Sequence, residues 1–477
     1  MYKKKLNFLF IMLFALCGQT AYCAPIEDEN YLTIKPFFIA PGATVKVALE
    51  IENNLVAYGY QTEILLPEGI TVPNVKVGSM VLYNKGIVPV AGRMYGDTGL
   101  FNLTAQGKKD GSIILLAYSD YYLPFEGNSG AVAEITLVAD EGILPGVYSL
   151  QLRNSEVTVL LDDEEVGAIK PLTDIAAVCG TLSDGGTTLA VAGKFGADAL
   201  VALNTELALH DDVTAVDMNN VSECGGEVVT SNPNALIYTN GTLNLKNSAN
   251  VVANGVCNNL TITDGYAFSA KGEFEILAGH YERSLAAGKF GTVVLPFTPD
   301  DATKSAYKFY TFASKVDNFL VFEEVNAPEA GTPYIYENVS GKSGSGFSAA
   351  ACKVSDVISE DNAGEWKMMG TYKRLVLTDA ETLEHTYYVS NNMIMCATEE
   401  LSIKPFRAYM NGPLYSDAFG TGAQQAIGIR LDGATAVDVI TGEDGERKIV
   451  YDLMGRKCDS KQSGVIIIDG KKYYKKN

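Results

Sequence analysis

The sequence has little of what catalytic and metal sites are built from. Its 477 residues contain one tryptophan and three histidines, and no two histidines have the H-x-x-x-H spacing. No two cysteines have the C-x-x-C spacing that marks many zinc sites and thioredoxin-like redox centres. Beyond the N-terminal stretch, no apolar run reaches the ~20 residues of a membrane-spanning helix. These absences predict a protein that is not an enzyme.

Motifs for phosphate binding and glycoside hydrolysis are also missing. Gly341-Lys-Ser343 invites a P-loop reading, but Tyr336 stands where that motif needs a glycine. A glycosidase needs two positioned carboxylates, and the 57 acidic residues mark no particular pair. An unrecognised glycan-active enzyme therefore stays only as an alternative.

The charge balance excludes one class of partner. The 57 acidic and 37 basic residues give a net charge of −20. Such a surface repels phosphate backbones and anionic lipid, so we expect no nucleic-acid partner.

The N-terminus has the pattern of a secretory signal. Three lysines lie within Met1–Lys5, Leu6–Leu16 is apolar apart from Asn7, and Ala21-Tyr-Cys23 offers a cleavage site. The sequence predicts a signal peptide over residues 1–23, with cleavage after Ala24 as the next candidate. The exported chain would then have no transmembrane helix, and it would lie at the cell surface or outside the cell.

Short alternating runs indicate an all-β protein. Val45, Val47, Leu49 and Ile51 alternate with mostly polar residues, as a half-buried antiparallel strand requires. Similar runs recur between Gly, Asn and Asp turns. We predict an N-terminal β-sandwich followed by irregular β-structure, compatible with a short solenoid, and further β-rich modules. The predicted boundaries are 28–178, 179–270, 271–437 and 438–477.

The first of these modules resembles cohesin-like and carbohydrate-binding-module-like sandwiches of secreted bacterial proteins. Four pieces carry the resemblance, namely Pro41–Val47, Leu65–Ile70, Gly130–Leu137 and Gly146–Leu150. The resemblance implies docking to a protein or contact with a sugar, without chemistry.

The later modules resemble pieces of large Bacteroidetes-type surface proteins. The matches are Ser231–Tyr238, Leu260–Gly265, Tyr281-Glu-Arg283, Gly291–Phe297 and Pro405–Tyr409. They imply β-rich binding or spacer modules of unassigned chemistry.

The C-terminal residues resemble the sorting domain of type IX secretion substrates. Tyr451–Arg456 and Gly464–Ile468 with Gly470–Lys472 carry this match, and the resemblance implies delivery to the cell surface. Cys458 in the intervening turn departs from the pattern. An ordinary terminal β-hairpin is the alternative.

Six cysteines remain after signal removal, and their pairing is open. Export permits disulfides, and six cysteines allow 15 connectivities. Buried free thiols fit equally well. The six are Cys179, Cys224, Cys257, Cys352, Cys396 and Cys458.

Two segments are candidate binding sites. Tyr118, Tyr121, Tyr122 and Phe125 place aromatic rings in and beside one loop, where they could stack on sugars, anchor an interface or cap the core. Asp162-Asp-Glu-Glu165 could hold calcium, the one candidate cofactor, or could be an exposed acidic turn.

The sequence therefore predicts a secreted or cell-surface protein that binds without catalysis. Its partner would be a polysaccharide or an extracellular protein contacted through the N-terminal sandwich. The alternative is a structural or adhesion component with spacer modules. The sequence does not determine the oligomeric state.

Overall fold

A computed structural model of the chain provides the architecture. It describes most residues between 30 and 475, and the statements below concern those alone. The described ranges are 30–54, 56–90, 93–94, 100–161, 164–167, 170–171, 175–317, 319–359, 361–390, 392–419, 426–432, 450–452, 457–458, 464–468 and 471–475. The predicted signal peptide lies outside them. The chain forms two compact units, Met1–Ser231 with Thr239–Ser248, and Asn232–Tyr238 with Ala249–Asn477.

The first unit is built from short strands and one long helix, α1 (Ala197–Leu209). Its strands are β1 (Tyr31–Ile34), β2 (Phe37–Ile39), β3 (Thr44–Glu52), β4 (Ala57–Leu65), β5 (Ile70–Thr71), β6 (Val75–Val77), β7 (Met80–Leu82), β8 (Ile87–Pro89), β9 (Asn102–Gly107), β10 (Ile113–Tyr118), β11 (Ser129–Ala139), β12 (Gly146–Leu161), β13 (Glu164–Gly167), β14 (Lys170–Pro171), β15 (Ile175–Ser183), β16 (Thr188–Phe195) and β17 (Ala215–Cys224).

Two sheets of this unit pack as a β-sandwich. One has the order β14-β1-β3-β11-β5, with β8 also paired to β11. The other runs β6-β7-β9-β10-β4-β12, and β12 continues it to β15 and β2. Leu49 and Ile51 of β3 are fully buried in one core with Ile64 and Leu115 of the opposite sheet. The alternation predicted for β3 is confirmed, because its apolar residues face this core.

A β-α-β crossover follows the sandwich. Strand β15 pairs with β12 and then with β16, so it runs through the boundary predicted at residue 178. Strands β16 and β17 pair in parallel, and α1 connects them. Ala199, Leu203 and Leu207 of α1 are buried, at the spacing of one helix face. The sequence reading missed this helix.

The second unit contains three short helices and most of the remaining strands. The helices are α2 (Asp301–Ala306), α3 (Ala380–Glu384) and α4 (Tyr415–Phe419). The strands from residue 236 onward are β18 (Leu236–Thr239), β19 (Val251–Ala253), β20 (Val256–Thr263), β21 (Phe274–Leu285), β22 (Phe290–Val294), β23 (Tyr307–Val316), β24 (Phe319–Val325), β25 (Pro333–Asn338), β26 (Gly344–Ala349), β27 (Cys352–Val354), β28 (Asp361–Ala363), β29 (Trp366–Thr371), β30 (Leu375–Leu377), β31 (Thr386–Ser390), β32 (Met393–Cys396), β33 (Leu401–Ile403), β34 (Arg407–Asn411), β35 (Ala426–Asp432), β36 (Val450–Asp452), β37 (Lys457–Cys458), β38 (Gly464–Ile468) and β39 (Lys471–Lys475).

A ten-stranded sheet dominates this unit, in the order β22-β25-β23-β24-β35-β32-β31-β34-β29-β28. Strand β25 is buried on both faces. Tyr334 and Tyr336 pack into one aromatic cluster with Phe347, whereas Ile335 enters another with Trp366. A strand covered on both sides needs an unbroken apolar centre, which explains the sequence Tyr334-Ile-Tyr336.

Asparagine amides hold the start of the second unit together. Strands β20 and β21 pair in parallel, as in a solenoid coil. Buried Asn234 donates to the carbonyls of Thr263 and Tyr266 and accepts from the Thr263 N–H. Buried Asn250 makes the same kind of contact with Thr261. These amides satisfy backbone groups that no strand pairing reaches.

One polar triad joins three segments that the resemblance had singled out separately. Arg407 donates to the Asp264 carboxylate (2.8 Å) and to the Tyr281 hydroxyl (2.7 Å), and Tyr281 donates to Asp264 (2.6 Å). Burial opposes ionisation of Asp264. The hydrogen bonds from Arg407 and Tyr281, with the charges of Arg407 and Arg283, outweigh burial together and lower the pKa of Asp264.

The all-β fold class is confirmed, with helices confined to short segments beside α1. The tail forms an antiparallel sheet in the order β37-β36-β38-β39, so the two apolar segments predicted there pair with each other. The five-part division of the chain and the sorting role of the tail stay predictions. Over the described ranges, no helix is both long and apolar enough to cross a bilayer.

Five of the six cysteines that follow the predicted signal peptide are free thiols. Cys179, Cys224, Cys257 and Cys396 are buried, and Cys352 is partly exposed. Burial raises the pKa of Cys179 and of Cys257 to about 11. Because the thiolate is the reactive form, these groups are held in an unreactive state.

Thiol labelling tests this arrangement. In the native protein we expect Cys352 to react first with a water-soluble thiol reagent, and the four buried cysteines to react only after addition of guanidinium. Mass spectrometry of the labelled peptides gives the order. Disulfide-linked peptides from unreduced protein would contradict it.

The triad predicts an acid-sensitive contribution to stability. Asp264→Asn should lower the unfolding free energy at neutral pH by about 2 kcal/mol, because a charge-assisted pair in a partly buried site is broken. The folded-state pKa is lowered, so this contribution is present above the unfolded pKa and disappears as pH falls through the folded value.

Urea titrations at pH 7 and below pH 4 check the prediction. Fluorescence of Trp366, 5% exposed in the second unit, reports the transition. Glu323→Gln, an exposed carboxylate on β24, is the control. If Asp264→Asn lowers the unfolding free energy equally at both pH values, the charge of Asp264 is not the cause of the loss.

Candidate docking face of the N-terminal sandwich

Strand β10 has apolar residues on both of its faces. Ile113, Leu115 and Ala117 are buried in the sandwich core. Leu116 and Tyr118 point the other way and are 39% and 41% exposed. A sheet face that meets only water normally carries polar residues, so this outer stripe is a candidate contact surface.

The neighbouring strands add uncharged polar groups beside the stripe. Leu116 lies opposite Thr104 of β9 and Gln61 of β4. Tyr118 lies opposite Asn102 and Gly59. A side chain at Gly59 would come within 2.7 Å of the Ala117 carbonyl oxygen, so the strands require glycine there and the ring of Tyr118 is not covered from that side. We call the outward residues of β9, β10, β4 and β12 the docking face.

Charges at one end of the docking face are paired internally. Glu63 of β4 is buried, and Lys108 from the β9–β10 turn contacts its carboxylate at 2.5 Å. The hydrogen bond from Lys108 is the main reason that the pKa of Glu63 is lowered. In the middle of the face, Glu156 of β12 lies opposite Gln61 and is exposed, so one carboxylate stands beside the apolar stripe.

An aromatic loop extends the face at its other end. Tyr121 and Tyr122 are 68% and 83% exposed. Phe125 is buried against Phe101, with ring centroids 5.1 Å apart, and its N–H donates to the Ala57 carbonyl. Tyr122 has φ of 54°, in the left-handed region that a tyrosine seldom adopts unless its surroundings hold it there.

A buried arginine fixes the base of this loop. Arg93 is 8% exposed, and all five of its N–H groups donate hydrogen bonds. The acceptors are the carbonyls of Ile51, Glu126, Gly127 and Gly130 and the side-chain oxygen of Asn53. Its guanidinium also lies 6.0 Å from the Phe125 ring centroid. Burial lowers the pKa of Arg93.

The structure divides the four predicted aromatic residues into two groups. Tyr118, Tyr121 and Tyr122 are exposed at one end of the docking face, whereas Phe125 lies in the core and supports the loop. That these tyrosines bind a ligand stays a prediction. Sequence reasoning missed Leu116, although Ile113–Leu116 is apolar at every position, and it had no signal for Arg93.

The predicted calcium site lies largely outside the described residues. Asp162 and Asp163 are not described. Glu164 and Glu165 begin β13, which pairs with the end of β12. Within the described ranges, no three His, Cys, Asp or Glu side chains are grouped to hold a metal ion. Calcium binding stays a prediction.

The glycine-rich segment 341–346 has a structural explanation. Strand β26 packs so closely on its neighbours that a side chain at Gly344 would overlap the Tyr307 hydroxyl. A side chain at Gly346, which has φ of 142°, would overlap the Tyr281 carbonyl. Close contact with the Tyr307 hydroxyl at Gly344, and with the Tyr281 backbone at Gly346, therefore accounts for these two glycines.

The Arg93 hydrogen bonds predict that stability depends on the shape of this side chain as well as on its charge. Arg93→Lys keeps the charge but offers three donors to five acceptors, so it should lower the unfolding free energy by about 2 kcal/mol. Far-UV circular dichroism during urea unfolding measures this loss. Arg153→Lys, at a partly exposed arginine on β12, is the matched control. An equal loss in both variants would refute the special role of Arg93.

Comparison with known proteins finds similarity among solved structures alone. No family model and no curated protein matches this sequence. Among solved structures, the seventh ScaB type I cohesin from Pseudobacteroides cellulosolvens is 16% identical and covers 32% of this chain and 92% of its own, with a TM-score of 0.24. A non-cellulosomal cohesin from Archaeoglobus fulgidus is 13% identical over 33% and 95% of the two chains, with a TM-score of 0.23.

A third similar structure is the third ScaB cohesin of R. flavefaciens in complex with a group 1 dockerin. It is 12% identical and covers 33% of this chain and 99% of its own, with a TM-score of 0.24. All three are cohesins. A similarity at this level concerns the fold and does not extend to a partner or a binding face.

Proposed function

We propose that this chain is a non-catalytic binding protein whose N-terminal sandwich docks a protein partner on the docking face. One observation carries the proposal: Leu116 and Tyr118 form an exposed apolar stripe that continues into the exposed rings of Tyr121 and Tyr122. Exposed tyrosines on a rigid support are frequent anchors of protein interfaces.

The geometry of the loop supports this use. A flexible loop would lose conformational entropy when it met a partner, whereas this loop is already held by Arg93 and Phe125. The flanking groups, such as Thr104 and Gln61, can donate or accept hydrogen bonds around the apolar centre. That combination of apolar centre and polar rim is typical of protein interfaces.

A polysaccharide is the second candidate partner, and the aromatic loop is the feature that favours it. The side chains of Tyr121 and Tyr122 are largely exposed, and aromatic rings stack on sugar faces. The aliphatic part of the stripe favours a protein, because a sugar gains little from an isolated Leu116.

We further propose that the chain is exported and acts at the cell surface or outside the cell. The sequence pattern of residues 1–23 and the sorting-like residues 438–477 support this location. A fusion of residues 437–477 to a periplasmic reporter tests whether the tail directs export to the surface. A reporter that never reaches the surface would show that the tail is an ordinary β-sheet without a sorting role.

Two variants distinguish the partner classes. Leu116→Lys changes the stripe, and Tyr121→Ser with Tyr122→Ser removes the loop rings. A protein partner should lose at least about 10-fold in affinity with either change, since each removes an anchor worth more than 1 kcal/mol. A polysaccharide should be lost with the loop variant alone. Biolayer interferometry against surface proteins, and a glycan array, provide the measurements.

The control is Tyr266→Ser, a tyrosine of the second unit that is 42% exposed, close to the value for Tyr118. It should bind as the parent protein does. Blank results with both the glycan array and the surface proteins would sink the proposal. Binding that neither the Leu116 variant nor the loop variant affects would show that the site lies elsewhere on the chain.

A further inference from the structure

A short hairpin at the edge of the sandwich exposes apolar side chains that no described residue covers. It consists of β6, β7 and the Gly78-Ser79 turn, and we call Val75–Leu82 the edge hairpin. Val77 is 50% exposed, Met80 45% and Val75 37%. A hairpin of this size is marginal alone in water, so exposed apolar residues on it call for an explanation.

The register puts these side chains on one face. Val75 lies opposite Leu82, and Val77 lies opposite Met80. Cross-strand partners point to the same side of a sheet, whereas Lys76 and its partner Val81 point to the other. Leu82 in turn pairs with Gln106 of β9, so this apolar face continues the docking face sideways.

The outer edge of β6 is open. In the described chain β6 pairs with β7 alone, while β7 pairs with β9. The two-residue turn Gly78-Ser79 joins β6 to β7, and Gly78 has φ of 62°. In such a turn the two flanking residues, here Val77 and Met80, form a backbone hydrogen-bonded pair. Because backbone direction alternates along a strand, the N–H and C=O of Lys76 face the open edge.

Local charge indicates what could occupy this edge. The edge hairpin contains one charged residue, Lys76, within a chain whose net charge is −20. Lys76 is exposed at the centre of β6. A second copy of the chain, paired antiparallel about this residue, would place Lys76 against Lys76, which is unfavourable. An acidic residue in that position is favourable instead.

We propose that β6 accepts an extended segment of an acidic partner protein as an added strand. The segment carries Asp or Glu opposite Lys76, with apolar residues before and after it that meet Val75 and Val77. Main-chain hydrogen bonds to Lys76 supply affinity, and the side chains supply selectivity, as in other cases of strand addition. This site lies beyond the stripe and the aromatic loop and does not depend on them.

Peptides of defined sequence test the proposal with the full exported chain. The probe is acetyl-Thr-Ser-Val-Glu-Val-Ser-Thr-amide carrying a fluorophore, with Lys for Glu as the reversed probe. Fluorescence anisotropy should give saturable binding of the Glu probe. Lys76→Glu should weaken it at least about 10-fold and should bind the Lys probe better than the parent does, because the charge pair is restored.

Three comparisons keep the result decisive. Lys109→Glu makes the same change in net charge away from the edge, so it should alter affinity by less than about 3-fold. A probe methylated on the Glu backbone nitrogen loses its donor to the edge and should not bind. The Tyr121→Ser, Tyr122→Ser variant should bind the probe normally, which separates this test from that of the docking face.

The proposal is overturned by any of three results. These are the absence of saturable binding up to roughly 1 mM probe, undiminished binding of the methylated probe, and equal losses for Lys76→Glu and Lys109→Glu. Lys76 is exposed in a three-residue strand, so we expect its variant to fold, and circular dichroism verifies this.

Discussion

The aromatic loop beside the docking face depends on the complete hydrogen bonding of one buried cation. Arg93 has no carboxylate among its acceptors, and burying an unpaired charge is costly. Here four carbonyl dipoles and one amide oxygen occupy every N–H of the guanidinium. The loss of any one acceptor would leave a buried donor unsatisfied, at about 1–3 kcal/mol. The turn from Glu126 to Gly130 is therefore fixed in one shape.

That constraint passes directly to the exposed rings. Glu126 adjoins Phe125, whose ring packs into the core beside the same guanidinium. Strand pairing of Tyr118 holds the start of the loop and Phe125 holds its end, so Tyr122 keeps a backbone conformation that an unsupported tyrosine would leave. A local strain at an exposed aromatic, maintained by a buried polar network, is a form of preorganisation for binding.

Part of the fold could be predicted from the sequence because local periodicity decides it. The alternation of Val47, Leu49 and Ile51 was sufficient for β3. Helix α1 was missed although Ala199, Leu203 and Leu207 have helical spacing, because the surrounding glycines and short apolar pieces resembled strands. Arg93 could not be found, since its acceptors are mainly carbonyls that any sequence provides. Phe125 and Tyr122 look alike in sequence, and only tertiary packing separates them.

The contacts of the second unit also could not be predicted from the sequence. Asp264, Tyr281 and Arg407 stand far apart in the chain, and each lies in a segment recognised only by resemblance. Hydrogen bonds join the three segments, because each residue satisfies polar atoms of the other two in a partly buried site. Sequence can indicate which residues are unusual, but the pairing of strands decides which of them meet.

An acidic chain can expose apolar surface that a neutral chain would bury by self-association. A net charge of −20 repels other copies at moderate ionic strength, and this repulsion acts over the whole surface. The docking face includes the exposed carboxylate of Glu156, whereas the edge hairpin has one lysine and no acidic residue, so repulsion is weakest at the edge hairpin. A partner that brings its own apolar or acidic groups would meet the least resistance there. The distribution of charge thus influences where a partner first approaches the surface, before any side chain makes contact.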